Sequence, residues 1–334
     1  MNDVVDESAA RRHGDAPSTA GAAHRADFSA QTGELYGIFV RNLLLSVCTL
    51  GIYRFWGKTR MRRFIWSRLS VRGEPFEYSG TGKELFVGFL KAAALIVLMT
   101  LGFAALRIWA VSYQPGFGKF VDWAQSIVFL ALIYIGTFAA QRYRLGRTRW
   151  CGIRFHQSGS AWTYGLSALR GVFFIGITLG LYTPFLGVKL RKYQFDNLAL
   201  GTMPFSFDGT GGTLFKPFLI AWLLVVPTLG MSLFWYGARA MSFYAGHTSI
   251  GPVRFAMPVS SWQYFALKAG NLLMTILSIG LLGPVVTKRT INFWCQHLAI
   301  CGEFDLAAIR QAAPSTERSG EGLASFLDID AGLA

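Results

Sequence analysis

The apolar positions of this 334-residue chain are concentrated in blocks, and these blocks are the first feature that predicts its fold. A helix needs about 20 mostly apolar residues to span the hydrocarbon core of a bilayer. Several blocks meet or approach that length, so the chain is predicted to be an α-helical integral membrane protein with about six apolar helical segments. These segments are residues 36–53, 85–112, 121–141, 164–186, 214–236 and 264–287.

The second and third segments form the clearest pair. The loop between them is short, contains Pro and Gly, and is almost uncharged, which is typical of the non-cytoplasmic turn of a helical hairpin. Trp109, Tyr113 and Trp123 flank this loop as an aromatic belt at a membrane interface would. The pair is therefore predicted to cross the bilayer twice.

Basic residues follow the apolar segments and set the predicted orientation. Residues 54–72 and 142–154 are rich in Arg and Lys, and the positive-inside rule places both on the cytoplasmic side. The segment 164–186 has basic residues before and after it, which conflicts with a simple alternation of sides. An ordinary crossing is the preferred interpretation, and a re-entrant segment that enters and leaves on one side is the alternative.

The distribution of charge supports the membrane interpretation. The chain carries +14 in total, and because residues 1–27 sum to −2 and residues 302–334 to −4, the middle carries +20. In a soluble protein such a surplus would indicate nucleic-acid binding. Beside apolar blocks it indicates loops that face anionic lipid headgroups, so membrane lipids and no nucleic acid are expected as partners. Residues 1–27 are predicted to be a disordered tail, and residues 310–334 an acidic C-terminal tail.

Short motifs recur along the chain and indicate internal repeats. Thr49-Leu-Gly-Ile-Tyr53 returns 129 residues later as Thr178-Leu-Gly-Leu-Tyr182, and more weakly as Ser278-Ile-Gly-Leu-Leu282. Each repeat is predicted to hold an apolar helix, a basic continuation of that helix and a short strand pair. The membrane domain 28–309 then contains tandem repeats at roughly 28–80, 155–210 and 255–305, with a helical hairpin at 81–145.

A glycine stands in the middle of every predicted strand pair, with apolar or aromatic residues on both sides. These glycines are Gly73, Gly152, Gly201, Gly251 and Gly302. Alternating residues around a glycine turn predict small β-hairpins. Because a lone hairpin is marginally stable in water, we expect these hairpins to pack on each other or on the headgroup region, on the cytoplasmic side of the membrane.

The repeated signatures resemble the bacterial YjgN family, also known as the domain of unknown function DUF898. The resemblance is carried by GELYGIFVRNLLLSVCTLGIYRFWGKTRMRRFIW and RGEPFEYSGTGKELFVGFLKA, and it extends from Phe28 to about Ile309. It implies a multi-pass protein of the bacterial inner membrane with no established activity. Two features depart from the family pattern. The later repeats lack a Trp matching Trp56, and residues 214–246 are short for a second two-helix hairpin.

Polar side chains inside apolar segments are the first candidates for a site, because burying them in a bilayer is costly. Arg41 and Arg170 occupy the same repeat position, and Asn42 and Asn271 also correspond. Together with Lys268 they are candidates for an internal path that an anion or a proton follows. The alternative is that the cations snorkel to headgroups and the amides bond to neighbouring helices.

The basic helices suggest a second kind of site, a cytoplasmic face that binds anionic lipid headgroups or another anionic ligand. Its candidate residues recur across the repeats: Arg60, Arg62, Arg63, Lys189, Arg191, Lys192, Lys288 and Arg289. The alternative is that these charges only orient and anchor the protein.

Catalytic and metal chemistry have little support in the sequence. Its five His show no metal-ligand spacing, GxSxG and HExxH motifs are absent, and the Gly-Thr-Gly-Lys run at 80–83 lacks the residues that complete a P-loop. The four Cys are expected to be free thiols, and Cys295, His297 and Cys301 match no standard zinc pattern. We therefore expect no enzyme activity, no catalytic residue, no metal and no cofactor.

Three functional hypotheses remain at this point. The leading one is a membrane protein that binds or translocates a small or amphiphilic anionic solute. The second is a structural or envelope-interaction protein whose basic face binds anionic lipid or a protein partner. The third is a lipid-modifying enzyme. Carboxylates are almost absent from the apolar segments, which disfavours a proton-coupled pump.

Overall fold

The computed structural model describes residues 23–114, 116–303 and residue 309, and these residues form ten helices and ten strands. The helices are α1 Thr32–Cys48, α2 Arg54–Arg68, α3 Gly82–Tyr113, α4 Phe117–Gly146, α5 Ala161–Ile177, α6 Thr183–Asp196, α7 Gly211–Leu223, α8 Met231–Gly246, α9 Ser261–Leu277 and α10 Gly283–His297. The strands are β1 Ala23–Phe28, β2 Leu69–Val71, β3 Glu74–Tyr78, β4 Thr148–Trp150, β5 Ile153–Gln157, β6 Leu198–Leu200, β7 Met203–Phe207, β8 Thr248–Ile250, β9 Val253–Ala256 and β10 Ala299–Cys301.

These elements follow one order five times over. A strand leads into an odd-numbered helix, a tight turn leads into an even-numbered helix, and that helix leads into the next strand. Five helix pairs therefore alternate with five strand pairs. The fifth strand pair is β1 with β10, which come from opposite ends of the described chain.

All ten strands close into one antiparallel barrel, in which β1 also pairs with β2. One ring of directly opposed residues packs together in its interior, and we call this ring the apolar layer. It consists of the pairs Ala26–Val71, Phe76–Trp150, Phe155–Leu200, Phe205–Ile250 and Phe255–Ile300. Ile309 packs against the same cluster.

The opposite face of the strands is polar. Glu77 stands opposite Arg149, and the hydroxyls of Ser206 and Ser249 lie 2.7 Å apart on the outside of the barrel. Alternation of apolar and polar residues is the pattern of strands with one buried face and one solvent-exposed face. Among the described strands none is longer than β1, whose six residues fall short of the 9–11 that a membrane-spanning strand needs.

The ten helices form a ring above the barrel. Each helix contacts the next along the chain, and α1 closes the ring by contacting α10. The even-numbered helices each pack on a strand of the barrel, and we call them the inner helices. The odd-numbered helices, which we call the outer helices, begin within five residues of the end of a strand, so their first turns lie near the rim of the barrel.

Four of the five helix pairs are joined by the same turn. Its second residue is a non-glycine with a left-handed backbone, φ 49–51°, and its third is a glycine with φ between 83 and 94°. A hydroxyl at the first position stabilises the turn: Thr49 Oγ1 donates to Leu45 O at 2.7 Å and accepts from Tyr53 N at 2.9 Å. The other turns begin at Thr178, Thr228 and Ser278 and repeat both bonds.

The prediction of an α-helical protein with about six apolar helical segments is wrong. The described residues hold a closed ten-stranded barrel, and of their ten helices only α3 and α4 are long and apolar enough to cross a membrane. The error arose because most apolar segments run through an outer helix, its turn and the start of an inner helix. These three pieces were counted as one helical segment.

The preferred interpretation of residues 164–186 as an ordinary crossing is also wrong. This segment runs from α5 through the turn into α6, and the strands on both sides of it, β5 and β6, pair with each other in the barrel. The segment therefore leaves and returns at the same end of the molecule, as the re-entrant alternative required. Residues 214–246 do hold a helix pair, α7 and α8, with helices of 13 and 16 residues.

The predicted tails lie largely outside the described residues. Residues 1–22 of the N-terminal tail and residues 310–334 of the C-terminal tail are not among them. The last five residues of the predicted N-terminal tail, 23–27, belong to β1 and close the barrel.

Candidate functional site

A central chamber of about 690 Å³ lies between the inner helices, next to the rim of the barrel. Its wall is formed mainly by α2, α4 and α6 and carries four cations: Lys58, Arg62, Arg144 and Arg191. Neutral polar groups stand among them, namely Gln141, Thr148, Gln194, Tyr164 and Tyr244. None of the described residues that line the chamber is Asp, Glu, His or Cys.

Helical spacing explains how α2 presents two cations to the chamber. Lys58 and Arg62 are four residues apart, and Met61 and Ile65 follow the same spacing, so all four lie on one face of the helix. Charges at other positions of α2 turn away, and Arg60, Arg63 and Arg68 are exposed. Arg68 pairs with Glu34 at 2.7 Å on the outside.

The inner helices differ in what they place at one equivalent position. That position lies nine residues before the apolar-layer residue of the following strand, and it holds Arg62, Gln141, Arg191, Met241 and Ile291 in order along the chain. The α2, α4 and α6 side of the ring is therefore polar or cationic at this position, and the α8 and α10 side is apolar.

A second cavity of about 470 Å³ lies on that apolar side. It is lined by aromatic and aliphatic groups from α8, α9, α10 and the barrel, including Met241, Phe205, Phe255 and Trp294. Arg191 and Tyr244 line both cavities. The Arg191 guanidinium carbon lies 5.1 Å from the centre of the Tyr244 ring, within cation–π distance. The two cavities thus meet at Arg191, where a cationic wall adjoins an aromatic one.

The tyrosines of the chamber are neutral at physiological pH. Burial raises the pKa of Tyr164 to about 12, with Tyr134 adding to the shift and Arg191 opposing it. Burial likewise raises the pKa of Tyr244, against the opposing effect of Arg191. Gln194 Nε2 donates to the Tyr164 hydroxyl at 3.0 Å, which leaves that hydroxyl able to donate a hydrogen bond in turn.

The apolar layer separates the chamber from the far end of the barrel. Phe76, Phe155, Phe205 and Phe255 follow one another around the barrel with ring centres 6.4, 6.4 and 6.5 Å apart. Every opposed pair in the layer is apolar, so an ion that moved along the barrel axis would lose its hydration without gaining a partner.

The predicted path residues do not come together. Arg41 and Arg170 are exposed on the outer helices α1 and α5. Asn42 Nδ2 donates to Gly57 O at 3.1 Å, and Asn271 Nδ2 donates to Thr290 Oγ1 at 2.9 Å, so each amide joins the two helices of its own pair. Lys268 is exposed at the edge of the second cavity, with its ammonium 5.9 Å from the centre of the Tyr264 ring.

The predicted basic face is divided among several places, and only Arg62 and Arg191 line the chamber. Arg60 and Arg63 line a separate groove of about 580 Å³ between α2 and the start of α3, where Arg63 donates to Gly80 O at 3.1 Å. Lys189 is exposed on α6.

The remaining basic-face residues bind to neighbouring elements. Lys192 donates to Phe207 O at 3.1 Å and lies 3.7 Å from Asp196. Lys288 donates to Thr32 Oγ1 at 3.2 Å, and Arg289 donates to Ala266 O at 2.9 Å. Both Lys288 and Arg289 line a groove of about 560 Å³ between α9 and α10.

Sequence reasoning did not single out Lys58, Arg144 or the polar groups of the chamber. Lys58 and Arg144 belong to recognised basic stretches, but in a stretch this rich in Arg the inward residues look like their outward neighbours. A usable signal was the number of residues between a helix position and the following strand, because equivalent positions of the five inner helices stand the same number of residues before that strand. Among the described residues, no group of three His, Cys, Asp or Glu side chains is arranged to hold a metal ion.

Comparison with known proteins gives a family and a set of named relatives. A family model described as "Bacterial protein of unknown function (DUF898)" matches residues 23–237 and 224–326. The protein named inner membrane protein YjgN of Salmonella typhimurium is 30% identical over 144 residues, which is 36% of each chain. Its namesake in Escherichia coli O157:H7 is 24% identical over 267 residues, 78% of this chain and 59% of that protein.

A third relative of the same name, from Escherichia coli K12, is 40% identical over 60 residues, 18% of this chain and 15% of that protein. The matches thus span less than two thirds of the length of each of these relatives. No solved structure matches the chain.

Proposed function

The chain belongs to the bacterial family DUF898, and from that premise we propose that it is an inner-membrane protein whose central chamber binds an anionic amphiphile. Its named relatives are inner membrane proteins, and α3 and α4, with 32 and 30 residues, are long enough to cross a bilayer as a hairpin. The exposed aromatic residues Trp109, Tyr113 and Trp123 at the far end of that hairpin fit the opposite interface.

The observation that carries the proposal is the pairing of a cationic wall with an aromatic wall around one residue. Arg191 lines both cavities, with Arg62 and Arg144 on the chamber side and Phe205 and Trp294 on the other. Guanidinium groups match the geometry of phosphate and carboxylate oxygens. A ligand with an anionic head and an apolar tail would place its head against the chamber wall and its tail in the second cavity.

Rough magnitudes show that both parts of such a ligand contribute. A hydrogen bond to a charged group is worth about 1.5–3 kcal/mol, and each buried methylene contributes about 0.8 kcal/mol. A six-carbon tail therefore contributes about as much as two charged hydrogen bonds. Neither half alone is expected to bind as well as the whole.

We propose binding in preference to translocation along the barrel or catalysis. The apolar layer of the barrel lies across the axial route out of the chamber, and its ten opposed residues offer no polar partner to an anion. The described lining residues of both cavities include no carboxylate, histidine or thiol that could serve as an acid, a base or a nucleophile.

The test uses the purified full chain in a neutral detergent, with hexyl phosphate as the probe and inorganic phosphate and hexanol as its two halves. Isothermal titration calorimetry should show hexyl phosphate binding more tightly than either half. Arg191→Gln should weaken it roughly 10- to 100-fold, the loss of one charged hydrogen bond. Lys189→Gln is the matched control, because Lys189 is exposed on the same helix, and it should leave the affinity unchanged.

Two results would contradict the proposal. One is equal binding of hexyl phosphate and inorganic phosphate, which would remove the role of the aromatic wall. The other is an equal loss in both variants, which would indicate a diffuse effect of net charge. Thermal unfolding midpoints of the two variants, measured alongside, establish that each is folded.

A second candidate function is interaction with anionic lipid through the outer groove beside α3. Arg60 is exposed there, and Lys83 and Arg63 line the same groove. If this is the main role, Arg60→Gln with Lys83→Gln should lower binding to vesicles containing phosphatidylglycerol, whereas Arg191→Gln should not. The opposite pattern of losses would favour the chamber.

A further inference from the structure

Each outer helix carries an exposed cation six to ten residues after its capping residue, and α3 carries two more, Lys83 and Arg107. Arg41, Lys91 and Arg170 stand ten residues after the capping residues of α1, α3 and α5. On α7 and α9 the cation comes slightly earlier. The five cations, which we call the outer cation belt, are Arg41, Lys91, Arg170, Lys216 and Lys268.

The belt lies at nearly one height above the barrel. The outer helices all begin near the barrel rim, and positions six to ten of a helix correspond to about 9–15 Å of rise. The belt thus runs around the outside of the helical ring in a band about one helical turn deep.

Beyond the belt the short helix pairs expose only uncharged surface up to their turns. No Asp, Glu, Lys or Arg occurs in residues 42–53, 171–182, 217–229 or 269–281. The left-handed residue of each turn is an exposed aliphatic side chain. Their exposed fractions are 95% for Leu50, 76% for Leu179, 94% for Leu229 and 93% for Ile279.

A soluble protein does not present four such tips together, because large exposed apolar patches mark interaction surfaces. The repetition of the tips around the ring calls for an apolar partner that is continuous around the molecule. A protein partner would have to match four separate tips, whereas the acyl chains of a lipid leaflet surround all of them. The cations below the tips complement anionic headgroups in the same geometry.

The distance from the belt to the tips is too short for a full crossing. Leu50 follows Arg41 and Leu179 follows Arg170 by nine residues, or about 13 Å of helix. Ile279 follows Lys268 by eleven residues and Leu229 follows Lys216 by thirteen, which correspond to at most about 17 and 20 Å. The hydrocarbon core is about 30 Å thick, so the four tips reach between about the middle and two thirds of its depth. On α3, Tyr113 follows Lys91 by 22 residues, or about 33 Å, which does span the core.

We propose that the four short helix pairs insert into a single leaflet, the one on the side of the barrel, and that α3–α4 alone crosses the bilayer. This inference rests on the membrane location given under the proposed function, but not on ligand binding in the chamber. Arg54 is the one cation near a tip. It begins α2, and its guanidinium carbon lies 6.0 Å from the centre of the Phe55 ring, so the first pair is expected to insert least deeply.

Cysteine accessibility in sealed vesicles tests the proposal. In a background with Cys48, Cys151, Cys295 and Cys301 changed to Ser, single cysteines replace Leu179, Leu229 and Ile279 at the tips. Gln114→Cys reports the far end of α3, and Glu77→Cys reports the outer face of the barrel. A charged, membrane-impermeant thiol reagent is applied from each side, and bimane on each cysteine is quenched by lipids spin-labelled at shallow or deep positions.

The expected result is that Gln114→Cys reacts from one side and Glu77→Cys from the other. The three tip cysteines should react at least tenfold more slowly from either side and should be quenched most by the deep label. Reaction of the tips from the Gln114 side would mean full crossings, and reaction as fast as Glu77→Cys would mean no insertion. Either outcome would overturn the proposal, and hexyl phosphate binding would still report separately on the chamber.

Discussion

The same five units, each consisting of a strand, an outer helix, an inner helix and the following strand, build both the barrel and the ring of inner helices. The units resemble one another far more in the barrel than in the inner helices. All ten residues of the apolar layer are apolar. Nine residues earlier in each unit, the inner helices carry Arg62, Gln141, Arg191, Met241 and Ile291 in turn. In a closed barrel every unit contributes side chains to one core, so close packing requires apolar residues at the layer positions of all five units. The inner-helix positions that line the chamber and the second cavity have no such requirement, and the residues at those positions differ between the units.

The largest effect should follow from breaking the shared layer. Trp150 is 3% exposed in the layer, and its neighbour Arg149 points outward. Trp150→Ala should lower the free energy of unfolding by about 3–5 kcal/mol, through lost burial and the cavity left behind. Thermal unfolding of the purified protein measures this, with Arg149→Ala as the control that should change little. Equal losses in both variants would show that the layer is not the core of the barrel.

A smaller loss is expected at the turns, a second feature that four of the five units share. Gly180 has φ +94°, a conformation that side chains rarely adopt, whereas Gly176 lies within α5 with no atom near its missing Cβ. Gly180→Ala should cost about 1–2 kcal/mol, while Gly176→Ala should gain about 0.5–1 kcal/mol. Opposite shifts of the unfolding midpoint would support this. Shifts of the same sign would mean that the left-handed turn does not persist in the membrane.

Of these shared features, the sequence predicted the hairpins of the barrel but not the turns between the helices. The hairpins at Gly73, Gly152, Gly201 and Gly251 have a short-range signature, because a left-handed backbone favours Gly. The motifs at Thr49, Thr178 and Ser278 were recognised as repeats, but the helix was expected to continue through each of them, and that expectation is wrong because a left-handed turn separates the two helices there. The matching motif at Thr228 was not recognised as a repeat, and two prolines stand near it, Pro217 inside α7 and Pro227 just before the turn. That four hairpins and the β1–β10 pair close into one barrel depends on long-range pairing, which no local pattern records.

The membrane topology and the site were predicted less well, for related physical reasons. Hydropathy measures how apolar a segment is but does not show where the chain reverses direction. An outer helix, its turn and the start of the next helix were therefore interpreted as one helical segment. Charge was similarly ambiguous. Arg60 and Arg62 look alike in the sequence, but only Arg62 faces the chamber. Which residues point inward is decided by the rotation of each inner helix against the barrel.

One substitution should reduce the difference between the cationic wall of the chamber and the aromatic wall of the second cavity. Met241 holds on α8 the position that Arg191 holds on α6, and it lines the aromatic cavity. Met241→Arg should bind inorganic phosphate about fivefold more tightly, which corresponds to about 1 kcal/mol for one added charge near the site. It should also reduce the advantage of hexyl phosphate over phosphate. Met241→Leu keeps the side chain apolar and should leave both affinities unchanged in the same calorimetric titration.

An effect that is absent at neutral pH concerns Cys295, through which the fifth unit departs from the others. The corresponding residues Trp66, Leu145, Phe195 and Ala245 line the two cavities, whereas Cys295 is buried in an apolar cluster with Ile65 and Ile291. Burial, with a further contribution from Asp27, raises the pKa of the Cys295 thiol from 9.0 to about 11. A raised thiol pKa means that the folded state favours the neutral form.

The stability that this preference confers is therefore fully present below pH 9 and is lost as the pH rises towards 11. The free energy of unfolding should fall over that interval, and it should fall less steeply in Cys295→Ala. Chemical denaturation at pH 8, 9, 10 and 11 measures the difference, with Cys48→Ala as the control because that thiol is exposed. If Cys295→Ala keeps the full slope of the unsubstituted protein, Cys295 is not held in the apolar cluster, and α10 is rotated so that this residue faces the chamber as its counterparts do.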